Sequence, residues 1–332
     1  MTARLRPYDS DRDFIPVRDL LVEAYGGFPD PVNWRLERWN YARHFCAPMI
    51  GPTPETRSPT EEESLLAIRM WESRIGVWED AEGRVAGVVT NEYPWPATAY
   101  LQRRPGHDEL LDDMLAYAER VYRVEKTNAA STFIYEDDEP LVAAALARGY
   151  VRDDAVFEPD LEYRTDGALP EARMPSGYRF VSMAESDDIE ERRKIFGLSF
   201  RHPDPLDWPT AFSYRELQRA PDYRPELDLV VEAPDGTYVS CCILWHDEVN
   251  RIGMLEPVGS IRLGYGREVV MEAVRRAAAL GIEKVIMESG LRFYRSIGFR
   301  PTGRMTHRWT RALSARAGRA AAHRHCSRRR AT

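Results

Sequence analysis

Residues 251–299 contain the segment that most restricts how this chain can fold. An apolar strand at Met254 to Val258 is followed by two closely spaced glycines, a helical pattern from Arg267 to Leu280 and a second apolar strand at Lys284 to Glu288. This order of elements predicts a β-α-β unit. Because the glycine turn opens directly into a helix, such a unit is suited to a phosphate-bearing cofactor.

The turn between the first strand and the helix can approach an anion closely. Its residues are Arg262, Leu263, Gly264, Tyr265, Gly266 and Arg267. The two glycines carry no side chain and can adopt positive φ. Free amides and the positive dipole end at the helix start favour a pyrophosphate, and Arg262 and Arg267 add charge. A G-x-G pair alone most often marks an ordinary tight turn, so the inference depends on the order of the surrounding elements.

After the second strand come Phe293, Tyr294 and the pair Gly298 and Phe299. With this ending the chain resembles the GNAT superfamily of acyl-CoA-dependent N-acyltransferases over roughly residues 176–310. The family pattern R/Q-x-x-G-x-G/A falls on residues 261–266, and the family ending of a tyrosine before x-x-x-Gly-Phe falls on residues 294–299.

The sequence departs from the family pattern in two places. Ile261 stands where the family usually has Arg or Gln, and the segment at 259–261 is shorter than the family norm. The lead-in to the tyrosine, residues 289–292, is also short and lacks the usual Asn. Two alternatives remain open: the cofactor site is degenerate, or loop residues are absent from the chain as given.

The chain also contains a diverged repeat, which predicts two tandem GNAT-like domains. Pro, Gly and polar residues cluster at 164–177 and indicate a boundary. Each half begins with a strand and a helix, has a hairpin turn (Glu82-Gly83 or Asp235-Gly236) and ends in a similar motif, ALARGY or YRSIGF. We expect an α/β (α+β) fold in which each domain is a mixed, mostly antiparallel twisted sheet flanked by helices.

The predicted boundaries are 1–165 for a degenerate GNAT-like domain, 176–310 for the acyl-CoA-binding catalytic domain and 311–332 for a basic, disordered tail. The first domain lacks the glycine turn. Gly106 is followed there by His107, Asp108 and Glu109, whose carboxylates suit a helix start but would repel a phosphate. We therefore expect no CoA in the first domain, and a solvated helix-cap role for His107.

The resemblance implies direct transfer of an acetyl group from acetyl-CoA to a primary amine. Glu256, on the strand that leads into the turn, is the candidate base, and Tyr294 is the candidate acid for the CoA thiolate. Pro257 removes a ladder donor, which favours a bulge or splay for the pantetheine arm. A free amide near Val258 would stabilise the oxyanion. Glu256 facing solvent and Tyr294 packing on the helix are the structural alternatives.

The predicted cofactor-binding residues form one set on the strand end and the turn: Pro257, Val258, Arg262, Leu263, Gly264, Tyr265, Gly266 and Arg267. The acceptor is expected at the segment between the first two strands of the second domain. Its acidic residues Asp204, Asp207 and Glu216 suit a cationic acceptor, a small-molecule or protein amine. Its aromatic residues line a pocket or cover the core: Trp208, Phe212, Tyr214 and Tyr223.

Composition sets further limits on function. The formal net charge of −7 argues against whole-protein nucleic-acid binding, and no apolar run approaches a membrane span. The N-terminus has no signal region, so we expect a cytoplasmic protein. The four cysteines, Cys46, Cys241, Cys242 and Cys326, show no disulfide or metal spacing, and we expect no metal. The oligomeric state is unknown.

Two classes of function therefore remain open. The retained G-x-G pair, Glu256 and Tyr294 favour an acetyl-CoA-dependent N-acetyltransferase. Ile261 and the shortened loops favour a non-catalytic acyl-CoA-binding or interaction protein with an eroded cofactor loop.

Overall fold

The computed structural model describes residues 3–28 and 34–313. Its strands are β1 (Arg4–Pro7), β2 (Gly76–Glu79), β3 (Val85–Thr90), β4 (Tyr100–Arg103), β5 (Ala129–Tyr135), β6 (Val151–Arg164), β7 (Arg179–Ser182), β8 (Asp228–Glu232), β9 (Tyr238–Asp247), β10 (Ile252–Ser260), β11 (Lys284–Glu288) and β12 (Arg300–Ala312).

The α-helices are α1 (Ser10–Gly27), α2 (Leu36–Tyr41), α3 (Ala47–Ile50), α4 (Glu61–Glu72), α5 (Leu111–Val121), α6 (Glu139–Ala147), α7 (Ile189–Ser199), α8 (Ala211–Leu217), α9 (Tyr265–Ala279) and α10 (Arg292–Ser296). A π-helical segment, Ala42–Cys46, joins α2 to α3, and short 3-10 segments occur at Asp108–Leu110, Pro205–Asp207 and Pro225–Leu227.

The strands form two sheets. One is four-stranded in the order β1-β2-β3-β4, and the other is eight-stranded in the order β5-β12-β6-β11-β10-β9-β8-β7. Among these described strands, β10 and β11 form a parallel pair and the other neighbours in the large sheet are antiparallel. The small sheet is antiparallel throughout, and a parallel bridge between Ala99 and Thr132 connects its edge to β5.

The two halves of the chain exchange their last strands. Strand β6, which ends the first half, pairs with β11 of the second half, and β12, which ends the second half, lies between β5 and β6. Each half therefore completes its sheet with a strand from the other half. The eight-stranded sheet is continuous across the boundary at residues 164–177.

The two predicted hairpins are present, because β2 and β3 pair across Gly83 and β8 and β9 pair across Gly236. Strand β9 is buried along almost its whole length, since α7 and α9 pack against it. Helix α9 buries Val269, Val270 and Ala273 against the sheet, with Val274 and Ala277 one turn further on. This spacing is that of a helix with one apolar face.

The first half packs on the second through an aromatic contact. Phe45, in the π-helical segment, lies edge-on to Phe196 and Tyr214, with ring centroids 5.2 and 5.5 Å apart. All three rings belong to one buried cluster that also contains Met254 and Ile286 of the parallel strands.

Three further expectations concern the C-terminal tail, the cysteines and membrane-spanning helices. Arg311 and Ala312 are the last residues of β12, so the predicted tail starts later than residue 311; the rest of that tail, with Cys326, lies outside the described residues. Cys241 and Cys242 are buried in β9 with free thiols. Within residues 3–28 and 34–313, no helix is long and apolar enough to cross a membrane.

Candidate active site

The parallel strands β10 and β11 part in the middle of the sheet. They pair from Ile252 with Lys284 to Met254 with Ile286, and beyond Met254 no pairing between them is recorded for the described residues. On its other side, the ladder between β10 and β9 skips Glu256 and Pro257 and resumes at Val258 opposite Cys242. The break expected at Pro257 is thus present. Beyond Met254, the end of the pairing with β11 leaves a gap between β10 and β11.

The glycine turn lies at the end of this gap. Strand β10 ends at Ser260 and α9 begins at Tyr265, with Gly264 at φ +92° as the residue before the helix. A side chain at Gly264 would meet no atom within 4 Å, so only its backbone conformation requires glycine. At Gly266 an added Cβ would lie 3.3 Å from the Cβ of Ser260, so the helix packs closely on the strand there.

The start of α9 has backbone amides without a hydrogen-bond partner among the described residues. The amides of Arg267 and Glu268 donate to the carbonyl of Gly264. Within the part of the chain that the structure describes, the amides of Gly264, Tyr265 and Gly266 have no such partner. Free donors at a helix start form an anion site.

The arginines of the turn are already engaged. Arg262 donates to the hydroxyl of Tyr178 at 2.6 Å, and that ring stacks on Tyr265 at 4.7 Å. Arg267 is paired with Glu268. A cavity of about 310 Å³ beside the turn is lined by Arg173, Pro175, Leu263, Gly264, Tyr265, Arg267 and Glu268. The segment between the two halves therefore adds Arg173 to this site, which the sequence did not indicate.

Glu256 lies within the gap. Glu256 is half-buried, and the indole of Trp245 donates a hydrogen bond to its backbone carbonyl at 2.7 Å. Burial raises the pKa of the Glu256 carboxyl, the charge of Arg38 opposes this, and Glu92 and Glu288 add to the rise. A carboxyl with a raised pKa is better matched to proton abstraction near neutral pH than an ordinary surface glutamate.

Tyr294 lies in α10 and is 6% exposed. Its ring packs edge-on against Phe293 and Phe299, with centroids 4.9 and 5.8 Å away. Burial raises the pKa of Tyr294 well above its ordinary value, with smaller contributions from Cys242 and Glu256. Glu256 and Tyr294 are therefore near enough to interact electrostatically. The phenol of Tyr294 therefore holds its proton more tightly than an ordinary tyrosine does.

A network of charged side chains from both halves adjoins Glu256. We call it the cleft cluster; its members are Arg35, Glu37, Arg38, Glu92, Tyr135, Glu158, Asp160, Glu256 and Glu288. Apart from Glu256, none of these residues was expected from the sequence. Two signals were present: charged residues between Trp34, Leu36 and Trp39, and an acidic residue at the end of the apolar strand β11.

The floor of the cleft cluster is buried. Arg35 donates to Asp160 and to Tyr135, both at 2.8 Å, and lies 3.3 Å from Glu288. The hydroxyl of Tyr135 donates to Glu288 at 2.6 Å. Arg35 and Glu288 belong to different halves of the chain, so this network ties the halves together beneath the gap.

The mouth of the cleft cluster is more open. Arg38 donates to Glu92 at 3.0 Å and to Glu288 at 3.2 Å, and it lies 3.8 Å from Glu158. The side chain of Glu158 is 47% exposed, and its pKa is raised to about 7 because burial and the charge of Glu288 outweigh the charge of Arg38. The open side of the cluster therefore carries incompletely balanced negative charge.

The acidic residues expected at the acceptor site form ion pairs with arginines. Asp204 and Asp207 pair with Arg57 at 2.7 and 2.6 Å on the surface, and Glu216 pairs with Arg219. Asp204 and Asp207 share Arg57, so each carboxylate has a cation beside it but the pair keeps a net negative charge.

The aromatic residues of the same segment divide between core and surface. Tyr214 is fully buried in the hydrophobic cluster that contains Phe45 and Phe196. Tyr223 packs against that hydrophobic cluster and donates a hydrogen bond to Asp228 at 3.0 Å. Trp208 lies over Gly197 and, together with Trp95 of the first half and Phe196, lines a cavity of about 290 Å³. Phe212 is half-buried. Of the four, Trp208 is a cavity-lining residue.

In the first half, the position that corresponds to the glycine turn is built differently. Gly106 has φ +85°, and a 3-10 turn, Asp108–Leu110, precedes α5. His107 lies 3.1 Å from Glu109, and Asp108 pairs with Arg103. Both carboxylates sit at the helix start, where they disfavour a phosphate.

No protein-family model and no curated protein matches the sequence. Solved structures do resemble it. A GCN5-related N-acetyltransferase from Sphaerobacter thermophilus has a TM-score of 0.54 at 13% identity, covering 93% of this chain and 95% of that one. A tandem GNAT protein from the clavulanic acid biosynthesis pathway has a TM-score of 0.59 at 14% identity, covering 94% and 99%.

The N-myristoyltransferase of Saccharomyces cerevisiae, solved with bound myristoyl-CoA, has a TM-score of 0.52 at 11% identity and covers 95% of this chain and 80% of that one. At such low identity, likeness is informative about fold only. The similarity extends over nearly the whole chain in each case. The chain has the GNAT fold, in the tandem arrangement predicted from its sequence.

Proposed function

We propose that the protein is an acetyl-CoA-dependent N-acetyltransferase that transfers an acetyl group directly to a primary amine. The observation that carries the proposal is the gap between β10 and β11, which has free helix-start amides at its end and Glu256 inside it. Solved proteins of the same fold include N-acetyltransferases and an enzyme bound to myristoyl-CoA, which supports an acyl-CoA ligand.

The second half has features that fit acetyl-CoA. The amides of Gly264, Tyr265 and Gly266 would donate to the pyrophosphate, with Leu263 beside them. Arg262 would contribute positive charge near the phosphates, and Arg267 would do so on leaving Glu268. Pro257 and Val258 would border the pantetheine arm where the β9–β10 ladder is interrupted. When bound, acetyl-CoA supplies the activated acetyl thioester.

Transfer requires the amine to lose a proton while its nitrogen bonds to the acetyl carbon. The carbon–sulfur bond breaks, and the sulfur gains a proton. We assign Glu256 as the base, acting on the amine directly or through water, because its raised pKa and its position in the gap suit proton abstraction. The charge of Arg38 opposes this rise in the pKa and favours the ionised carboxylate, the form that accepts a proton.

The remaining roles fall to Val258 and Tyr294. An amide near Val258 would stabilise the negative charge that develops on the acetyl oxygen. Tyr294 would protonate the thiolate. Because burial raises the pKa of this phenol, giving up the proton is costly, and the transfer depends on prompt reprotonation of Tyr294.

The acceptor is proposed to enter at the cleft cluster, between the halves. Glu256 joins the gap to this cluster, and Glu158, at its mouth, is partly exposed. The first half contributes Arg35, Arg38 and Glu92, so it acts as one wall of the acceptor site.

A second candidate is an acyl-CoA-binding protein without catalysis. Two observations favour it: Ile261 is 43% exposed where the family usually has a polar anchor, and only residues 261–264 separate β10 from α9. Such a protein would bind acyl-CoA at the same turn but would not use Glu256.

Calorimetry tests the proposal directly. We expect acetyl-CoA to bind saturably at about one site per chain, with free CoA binding at the same site, and we expect acetylated product when an amine is added. Absence of acetyl-CoA binding up to millimolar concentration, above the usual range of KM values, would refute both candidates. Binding without turnover across a panel of amines would select the non-catalytic one.

A further inference from the structure

The cleft cluster has more carboxylates than cations. Six acidic residues stand against Arg35 and Arg38: Glu37, Glu92, Glu158, Asp160, Glu256 and Glu288. Arg304 also lies near, 3.9 Å from Asp160, but it pairs at 2.7 Å with Asp137 outside the cluster. The two remaining arginines cannot neutralise six carboxylates, so the site has room for further positive charge.

Glu37 is an independent sign that a cation is missing. Its residue is 5% exposed, and its Oε2 atom has no hydrogen-bond partner. Burial raises the pKa of this carboxyl to about 7; the charges of Arg35 and Arg38 oppose the rise, and the charge of Glu288 adds to it. A buried carboxyl without a partner is costly unless a positive group approaches or a proton is bound.

The group that would supply this charge is an organic cation. Within residues 3–28 and 34–313, no three His, Cys, Asp or Glu side chains are arranged to hold a metal ion. The carboxylates are instead spread from the buried floor at Asp160 to the half-exposed mouth at Glu158. An extended molecule with separated cationic ends fits this distribution better than a point charge.

We propose that the cleft cluster selects an acceptor with two cationic groups, such as an aliphatic diamine. One amine lies at Glu256 and is acetylated; the other lies between Glu158 and Glu92 at the mouth. Glu158 is the main specificity-determining residue, because Arg38 approaches it only to 3.8 Å, whereas Arg38 is 3.0 Å from Glu92. Glu37 lies deeper and adds to the negative potential. This inference rests on the proposed acetyl transfer for the role of the first amine.

Equilibrium binding of three matched probes tests the inference without requiring turnover. The probes are 1,4-diaminobutane, butylamine and 4-aminobutanoate, which differ only in the group at the far end. We expect calorimetry to give an affinity for diaminobutane at least about tenfold higher than for butylamine, and the weakest binding for 4-aminobutanoate, because a carboxylate would face Glu158. Equal affinities for diaminobutane and butylamine would overturn the inference.

A pair of variants locates the second cation. Glu158→Gln is expected to weaken diaminobutane binding about tenfold and to leave butylamine binding unchanged. Asp154→Asn is the matched control, because Asp154 lies on the same strand, is 74% exposed and pairs with Arg152. Unchanged diaminobutane affinity in Glu158→Gln would contradict the assignment of this residue.

Proton release gives a readout that a merely structural cluster would not produce. Near pH 7, Glu37 and Glu158 are partly protonated, because the pKa of each is raised to about 7. A bound dication favours the ionised carboxylates, so we expect protons to be released, measurable as a dependence of the binding enthalpy on the buffer. Diamine binding without proton release would refute this arrangement. Since acetyl-CoA is titrated separately, failure of the enzyme proposal is distinguishable from failure of the diamine proposal.

Discussion

The guanidinium of Arg38 donates a hydrogen bond to Glu288 at 3.2 Å, and the two residues come from different halves of the chain. Arg38 also lowers the pKa of Glu256, whereas Glu288 raises it. The protonation of the candidate base therefore depends on how the halves meet. In this tandem arrangement the first half, whose described residues lack the glycine turn, thus has an electrostatic effect on Glu256.

Replacement of Arg38 should change the pH dependence of acetyl transfer. In Arg38→Met the cation that lowers the pKa of Glu256 is removed, so that pKa rises and the acidic limb of kcat/KM moves to higher pH, by about one unit. Arg38→Lys, which keeps the charge, should move the limb less. Steady-state rates from pH 5 to 9 measure this, and an unmoved limb in Arg38→Met would contradict the assigned link.

Glu256→Gln should reduce kcat by about 10²–10⁴ while acetyl-CoA affinity stays unchanged, because the amide cannot accept the amine proton. Glu283→Gln is a suitable control, since Glu283 is 49% exposed and pairs with Arg251 away from the gap. Turnover and calorimetry on both variants separate the effects. Normal turnover by Glu256→Gln would require another base.

The sequence predicted the elements that depend on local pattern. The β-α-β order, the glycine turn and the hairpins at Gly83 and Gly236 all follow from short-range signals, and the structure contains them. The break at Pro257 was expected for the same reason, because proline lacks the amide that a ladder needs.

The exchange of β6 and β12 could not be predicted in this way. A strand with alternating side chains has the same pattern whichever half supplies its neighbour, so the pairing of β12 with β5 leaves no local signal.

The cleft cluster was missed for a related reason. Its members come from α2 and the residue before it, from β5, β6, β10 and β11, and from the segment after β3, and only the tertiary fold brings Arg35 to Asp160. Likewise, nothing in the sequence indicated that Arg57 pairs with Asp204.

Tyr294→Phe tests the candidate acid. Removal of the hydroxyl should lower kcat by about 10-fold or more, while the affinity for acetyl-CoA is retained, because the ring still packs on Phe293 and Phe299. Tyr163→Phe, which alters a ring that packs on the other side of Phe299, is the control. If Tyr294→Phe turns over normally, the thiolate obtains its proton from water.

Arg35 should be important for stability. Arg35→Met would leave Asp160 without its nearest cation and Glu288 with Arg38 as its remaining partner, and loss of one partner from a buried ion pair typically costs about 3–5 kcal/mol. Arg164→Gln removes a surface pair with Asp166 in which the arginine is 54% exposed, and should cost at most about 1 kcal/mol. Urea unfolding of both variants gives the free energies. Similar losses of unfolding free energy in Arg35→Met and Arg164→Gln would mean that the floor of the cleft cluster is solvated.

Glu37→Gln should reveal that the cleft cluster lowers the free energy of unfolding in a pH-dependent way. The pKa of Glu37 is raised in the folded protein from its ordinary 4.5 to about 7, so its protonated form is favoured by folding. Its contribution to stability is therefore fully present below pH 4.5 and is lost as the pH rises through about 7. Glutamine resembles the protonated carboxyl at every pH. Compared with the wild type, the variant should gain up to about 3 kcal/mol in unfolding free energy between pH 5 and pH 8, as measured by urea unfolding. A stability difference that is the same at both pH values would show that Glu37 is ionised throughout and that its negative charge is balanced within the fold.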